Sequence, residues 1–483
     1  MKHYESSWSE LLQGRNGLRS LALAGGVAVH AVNVYIVTTI LPSVVEDIGG
    51  LAYYAWNMTL FVVASIIGSA LSPKTMDSMG LRHAFLFAIF AFSLGTIVCA
   101  MAPTMPWLLA GRTAQGLGGG LLLGLSYSAV RLVFEERLWS RAMVLVSSMW
   151  GVATLAGPAI GGIFAQTGHW RLAFWAVLPI AGLLAVLVHT QLQPRSRTEM
   201  QRAQAPFRRI MLLALSVLVV SIASVPESLA WNSAGVAAGV LLTLWIARLD
   251  KRAAIPLLPR GTYASGTALA SLYACIALLS MGVTTEVYIP YFLQIIHGKT
   301  PLVADYWMAL LSAGWTAGSF VSSGRSTRVV NMLIRMGPVV SALSLALLAV
   351  LMPLGVLSEG GSGLVNILML PLFGVGLGVG ICWPNLLTRV FRSAPKGQEN
   401  IASAGITTLQ LYAMAMGAAL AGMVANAAGL TSPGGVSGTQ HAALALFAVF
   451  ACAPGLAIFM TGGARAVADR RGATPSGKTA TSP

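Results

Sequence analysis

Few residues in this chain can do chemistry inside an apolar segment, and they are far apart. Arg112 stands in the run Arg112-Thr113-Ala114-Gln115-Gly116-Leu117-Gly118-Gly119-Gly120. An arginine in such a run is costly, turns toward protein or a water-filled cavity, and marks a transport pathway by default. The bland alternative is a guanidinium reaching back to a nearby interface. Gln115, three residues on, shares its face. Glu286 is the one acidic residue that the pattern places within an apolar block, near that block's outer end. A carboxyl group taken out of water can exchange its proton near neutrality; the alternative is that Pro290 ends the span early and leaves Glu286 among wet headgroups. His30 is a second proton candidate, because an unperturbed imidazole titrates at about 6.5, although a lone helix histidine often only satisfies a hydrogen bond.

Other polar and aromatic residues in the apolar blocks can line a path for a small molecule: Asn33, Tyr35, Asn57, Tyr127, Trp150, Gln294, Trp315, Trp383, Asn385, Gln410 and Tyr412. Their chemistry suits a flat, amphipathic organic compound, and ordinary packing explains any one of them equally well. No cluster of basic residues points to a phosphate or polycarboxylate. The glycine runs 116–124 and 374–380 do not fit G-x-G-x-x-G, and no Walker lysine follows a glycine loop, so no nucleotide cofactor is expected. HExxH, GxSxG and acidic clusters are missing, which leaves an enzyme only as a remote reading. Cys99, Cys275, Cys382 and Cys452 lie in apolar blocks without a C-x-x-C pair, so neither metal nor disulfides are expected.

The elements that must hold these residues follow from composition. Of 483 residues, 56% are hydrophobic and 9% charged, too few charges to keep a soluble protein this size dissolved. Apolar blocks at about 18–42, 53–72, 84–102, 106–133, 142–166, 170–190, 209–226, 230–248, 262–296, 302–324, 328–353, 362–388, 401–426 and 439–461 each have the length to cross a bilayer. This predicts an all-α membrane protein with fourteen spanning helices. The ninth block exceeds a straight span, and Pro290 is expected to end or kink it.

Fourteen crossings put both termini on one side. The loops on that side hold most of the cations, among them Lys74, Arg82, Arg137, Arg141, Arg195, Arg197, Arg202, Arg208, Arg209, Lys251, Arg252, Arg260, Arg325, Arg328, Arg392, Lys396, Arg465, Arg470 and Arg471. The other loops hold Glu46, Asp47, Glu227, Asp305 and Glu359, with Arg171 and Lys299 as their cations. The asymmetry predicts cytoplasmic termini and accounts for the net charge of +15 without nucleic acid. Short loops suggest a bacterial inner membrane.

A weak repeat divides the chain. Gly50 follows Pro42 by eight residues and Gly298 follows Pro290 by eight; Asp77 and Arg325 each lie 35 residues beyond those prolines. The expected organisation is a six-helix half at 1–190, a polar linker at 191–208, two inserted helices with their loop at 209–261, a second six-helix half at 262–462, and a disordered tail at 463–483. Paired halves around a central site are the common plan of secondary transporters.

Five stretches carry a resemblance. Pro73-Lys74-Thr75-Met76-Asp77-Ser78-Met79-Gly80-Leu81-Arg82 resembles the loop signature between the second and third helices of the major facilitator superfamily. Arg112 to Gly118 is similar to that superfamily's R-x-x-Q-G-x-G motif, and Gly157-Pro158-Ala159-Ile160-Gly161-Gly162 to the fifth-helix motif of its drug exporters. Trp170-Arg171-Leu172-Ala173-Phe174 with Pro179, and Ser403-Ala404-Gly405 through Gln410 to Gly417, resemble segments of the fourteen-helix drug:proton antiporter branch. The resemblance implies a major-facilitator fold whose two halves rock, and export of a drug or toxic metabolite coupled to proton entry. It gives Asp77, with Gly80 and Arg82, a gating role on the cytoplasmic side, Arg112 a role in coupling, and Gly157 and Pro158 the exporter-type bend. The implied partners are a small amphipathic substrate, protons and lipid, and the working unit is a monomer. Uptake by symport is the alternative direction; a channel or sensor is a further one. Pro73, Ser78 and Leu81 depart from the loop signature. Asn33 stands where many members of the branch carry an acid, so the proton carrier is expected elsewhere, at Glu286 or His30.

Overall fold

The computed structural model describes residues 8–135, 138–193, 206–226, 228–322, 325–355, 363–396 and 398–469. The core of the linker (194–205), Arg137, Glu227, Glu359 and the tail from Arg470 lie outside them. Among the described residues the regular structure is helical, and a long helix stands at each of the fourteen predicted blocks. We number these α1 (Gly14–Ile48), α2 (Trp56–Met79), α3 (Leu81–Ala100), α4 (Met105–Val133), α5 (Trp139–Gln166), α6 (Trp170–Gln191), α7 (Phe207–Ala223), α8 (Leu229–Lys251), α9 (Ala268–Val283), α10 (Pro301–Ser322), α11 (Thr327–Leu351), α12 (Met369–Ser393), α13 (Glu399–Ala427) and α14 (Gly435–Asp469). A short helix, Trp8–Leu12, precedes α1. Twelve spans are long and apolar enough to cross a membrane; α7, at 17 residues, and α10 fall outside that set.

Two predicted details change. Segment 73–79 is not a loop: α2 continues through Pro73 to Met79, and only Gly80, at φ 79°, makes the turn into α3. The ninth block breaks before Pro290, not at it. α9 ends at Val283, a 3₁₀ turn covers Thr284–Tyr288, and Pro290 opens the following helix Ile289–Ile295, where its missing N–H is harmless.

Glycines set the packing in both halves. A side chain on Gly116 or Gly120 of α4 would fall on the backbone of α2 at Phe61 and Ser65. A side chain on Gly376 or Gly380 of α12 would fall on the backbone of α10 at Leu311 and Trp315. Small residues of this kind let helices approach closely in a membrane. Helices α1–α6 pack among themselves, as do α9–α14, and the halves meet chiefly through α2 with α13 and α5 with α10. Exchanging the halves turns one of these contacts into the other. Helices α7 and α8 pair with each other, with α7 lying against α2 and α13. Arg209 and Asp250 form an ion pair between them, and Asp250 also accepts from the backbone of Leu257 and Leu258 and from the Tyr263 hydroxyl.

Both chain ends leave from one face of the bundle, the terminal face. At the other, the far face, Trp170 and Arg171 both donate to Asp47, at 3.1 and 2.6 Å. The W-R motif therefore fastens α6 to the end of α1.

Candidate functional site

Two polar constellations lie in the interior, one within the first half and one at the seam between the halves. The first is built on α4. Arg112 is 1% exposed, and its Nη1 donates to Gln115 Oε1 at 2.8 Å. Gln115 Nε2 donates in turn to Asn33 of α1 at 3.2 Å and to Thr96 of α3 at 2.9 Å. The guanidinium lies 4.0 Å from the centre of the Phe61 ring. Among the described residues no carboxylate pairs with it, and its Nε has no partner. A desolvated cation held by one amide and one aromatic face is incompletely compensated. The arginine does not reach back to an interface. His30 packs against the same phenyl ring, with centroids 5.1 Å apart, and edge-on to Trp150 at 5.8 Å. A protonated His30 would place a second cation against one ring with no anion beside it.

The second constellation lies at the seam between the halves and contains the main correction to the sequence reading. Asp305 is not in a far-side loop. It lies in the first turns of α10, fully buried, with its Oδ2 hydrogen-bonded to Thr39 Oγ1 of α1 at 2.5 Å. Glu286 is therefore not the only acid within the helical bundle. Glu286 itself stands in the 3₁₀ turn, half-buried and with no hydrogen bond or ion pair among the described residues. The charges of Glu286 and Asp305 are near enough to act on each other. Tyr35, one turn before Thr39, lies beside Ser312 of α10. The missed signal was Asp305's position three residues inside a block already read as helical.

The far-face seam continues outward through aromatic rings. Tyr54 stacks on Tyr288 at 5.0 Å and meets Tyr291 edge-on at 5.2 Å. Asn426 of α13 donates to Ala52 at 3.0 Å. The hydrogen bonds found between described residues of the two halves all lie toward this face. At the terminal face, Asp77 has no hydrogen bond or ion pair among the described residues, and Arg82 donates to the Leu192 carbonyl at 2.6 Å, at the start of the linker that follows its own half.

The exporter-type motif of α5 supports the seam from behind. A Cβ at Gly157 would strike Tyr35, one at Gly161 would lie 2.9 Å from the Thr39 Cβ, and one at Gly162 would press on Leu302 of α10. These glycines let α5 seat the α1 face that carries Tyr35 and Thr39. Pro158, buried between them, leaves one α5 carbonyl without its helical donor.

The predicted lining residues fall into three groups. Tyr35, Tyr127, Trp150, Gln294, Trp315 and Gln410 are half-buried, and Tyr127 contacts Ser147 at 3.3 Å. Trp383 is buried against Trp315, with ring centres 5.1 Å apart, and Asn385 bonds back to its own helix. Asn57 and Tyr412 are spoken for elsewhere. Asn57 bonds the Tyr54 carbonyl inside the first half; the Tyr412 hydroxyl meets Ser216 of α7 and Thr243 of α8, at 3.0 and 2.6 Å. Tyr412 thus faces the inserted pair.

A sequence profile described as Major Facilitator Superfamily matches residues 23–419. A Mycobacterium tuberculosis protein named "Probable multidrug-efflux transporter" is 36% identical over 455 residues, covering 92% of this chain and 94% of that one. Among solved structures, a peptide transporter of the POT family has a TM-score of 0.63 at 16% identity, with 94% of each chain covered. A D-xylose–proton symporter has a TM-score of 0.63 at 12% identity, over 93% of this chain and 97% of the other. At such identity these structures speak to the fold alone. The chain belongs to the major facilitator superfamily; it is a multi-pass membrane transporter and not an enzyme.

Proposed function

We propose that this major-facilitator chain is a proton-driven exporter of amphipathic organic compounds, drugs or toxic metabolites, working as a monomer in a bacterial inner membrane. The name of the Mycobacterium tuberculosis relative supports the substrate class. The observation that carries the mechanism is a separation of charge. The first half buries a cation, Arg112, without an acid; the second half holds two acids, Glu286 and Asp305, at the seam without a cation. Protons entering the seam therefore change a charge that Arg112 senses through the protein interior, where screening is weak.

The excess of Lys and Arg at the terminal face assigns that face to the cytoplasm. The far-face seam is then the external gate, closed here, and the unpaired Asp77 is a cytoplasmic latch, open here. Segments 1–190 and 262–462 are the two moving halves, joined by 191–208 and flanked by the inserted pair 209–261. Amphipathic substrate enters from the cytoplasmic side and meets Tyr127, Trp150, Trp315 and Gln410. Glu286, half-buried and without a partner, exchanges the proton; His30, sharing its ring with Arg112, is the weaker carrier.

The test uses everted vesicles acidified inside, with proton release followed by fluorescence as planar cations, quinolones and other amphipathic compounds are added. Compound-dependent release in the wild type that Glu286→Gln abolishes is the expected result. Compound movement without proton movement would overturn antiport, and release that survives Glu286→Gln would remove the carrier from that residue.

A further inference from the structure

We propose that Thr39 and Asp305 form a proton-operated lock on the far-face gate, closed when the Asp305 carboxyl carries a proton and released when it loses it. The argument is a count of hydrogens. Thr39 Oγ1 lies 2.5 Å from Asp305 Oδ2 and 2.8 Å from the carbonyl oxygen of Tyr35. A threonine hydroxyl owns one hydrogen and can donate once. An ionised Asp305 and the Tyr35 carbonyl are both acceptors, so one of the two contacts would be left without a proton. A protonated Asp305 satisfies both: its O–H donates to Thr39 Oγ1, and Thr39 donates on to Tyr35. The short separation is that of a strong O–H···O bond, whichever of the two oxygens carries the hydrogen.

The surroundings agree. Asp305 is fully buried, and among the described residues its Oδ1 has no hydrogen-bond partner and no cation pairs with it. The ionisable groups close enough to act on it are Glu286 on the 3₁₀ turn, Tyr35 on α1, and Tyr54 ahead of α2. None of them is a cation, so a carboxylate here has the Thr39 hydroxyl as its one stabilising partner among the described residues. Loss of the proton leaves a buried anion beside an acid, and the relief available is separation of α1 from α10 and entry of water. The lock has leverage because Thr39 and Tyr35 both lie on the α1 face held by the α5 glycines.

For its place in the transport cycle the inference rests on the antiport reading: an external proton closes the outer gate and returns the carrier inward. The lock itself is measurable without substrate or gradient. Spin labels at Met101→Cys and Val436→Cys, exposed at the far face of opposite halves, report gate opening in a Cys452→Ser background reconstituted in bilayers. In the parent, the long-distance population is expected to grow at least about threefold between about pH 5.5 and 8.5. Asp305→Asn, neutral at every pH and still able to donate, is expected to stay closed throughout. Thr39→Val is expected to be open already at acid pH, with Thr39→Ser restoring closure and showing that the fold tolerates the site. Glu286→Gln is expected to keep the pH response. An Asp305→Asn protein that opens with pH like the parent, or a Glu286→Gln protein that loses the response, would overturn the lock. If compounds are exported normally while Asp305→Asn opens like the parent, the lock fails alone. If the gate responds as expected while no compound moves protons, the exporter reading fails alone.

Discussion

Helices α4 and α12 occupy equivalent places in the two halves and teach by their difference. Aligning Gly116 and Gly120 with Gly376 and Gly380, which lie against equivalent partner helices, sets Arg112 opposite Leu372 and Gln115 opposite Val375. All four are buried. The backbone packing is therefore common to both halves, while a buried cation at this level of the helix belongs to one; α12 buries its arginine, Arg389, nearer its terminal-face end, where it donates to Asn331 of α11. The second half also places two acids, Glu286 and Asp305, at its edge, where they meet the first half. In the proposed antiport cycle a symmetric scaffold with asymmetric chemistry has a use: the packing keeps each half rigid, and the seam takes the proton.

The hardest way to break this comparison is through the shared part. Gly116→Val and Gly376→Val each push a branched side chain onto backbone that cannot step aside. Each is expected to cost more than about 3 kcal/mol, beyond the usual range for overpacking, and to remove most of the folded protein. Recovery of monodisperse protein after extraction checks this. Equal damage at the two sites sharpens the symmetry; tolerance at Gly376 alone would break it.

The unshared part is expected to behave the other way. Arg112→Leu makes α4 resemble α12 and removes a buried charge without a carboxylate. Such replacements are often neutral or stabilising, so the unfolding temperature is expected to hold or rise. Compound-driven proton release is expected to fall by at least about tenfold, roughly 1.4 kcal/mol of lost coupling. Gln115→Leu, which cuts the link from Arg112 to Asn33 and Thr96, is expected to fall less. Vesicle flux and thermal unfolding on the same preparations separate the two effects. An Arg112→Leu protein that transports normally would reduce the arginine to packing.

Much of this was legible in the sequence, for identifiable reasons. Spanning length and charge asymmetry are one-dimensional signals, and they gave fourteen helices in order. Gly50 and Gly298, paired by the sequence pattern, both turn through positive φ, at 85° and 62°. Arg112 and Gln115 announced their contact by spacing on one helix. The seam was not legible, because a hydrogen bond between Thr39 and Asp305 joins residues far apart in the chain, and nothing local to either predicts it. Asp305 was placed with the loop acids because acidic residues near a helix start normally face water. Tyr412 misled because a helix pattern shows that a ring is inside, not which neighbour it meets.

The smallest effect concerns the far-face corner that follows the seam. The repeat sets His297 opposite Gly49, so one half carries a titratable group where the other has none. His297 is 5% exposed and hydrogen-bonded to the Met352 carbonyl at 2.9 Å. Burial, with Lys299 nearby, holds its imidazole below the usual histidine range, and the Met352 bond only partly offsets this. The unfolded chain then takes up a proton more readily than the folded one, so this site's contribution is full above the unfolded value of about 6.5 and is lost as pH falls below it. His297→Gln keeps a donor for Met352 without a titrating group. It is expected to flatten the acid side of the plot of unfolding temperature against pH while leaving the plateau above neutrality nearly unchanged. A wild-type slope persisting in the variant would remove the acid sensitivity from His297 without transferring it to Asp305, because a carboxyl group that the seam favours protonated gains stability as pH falls.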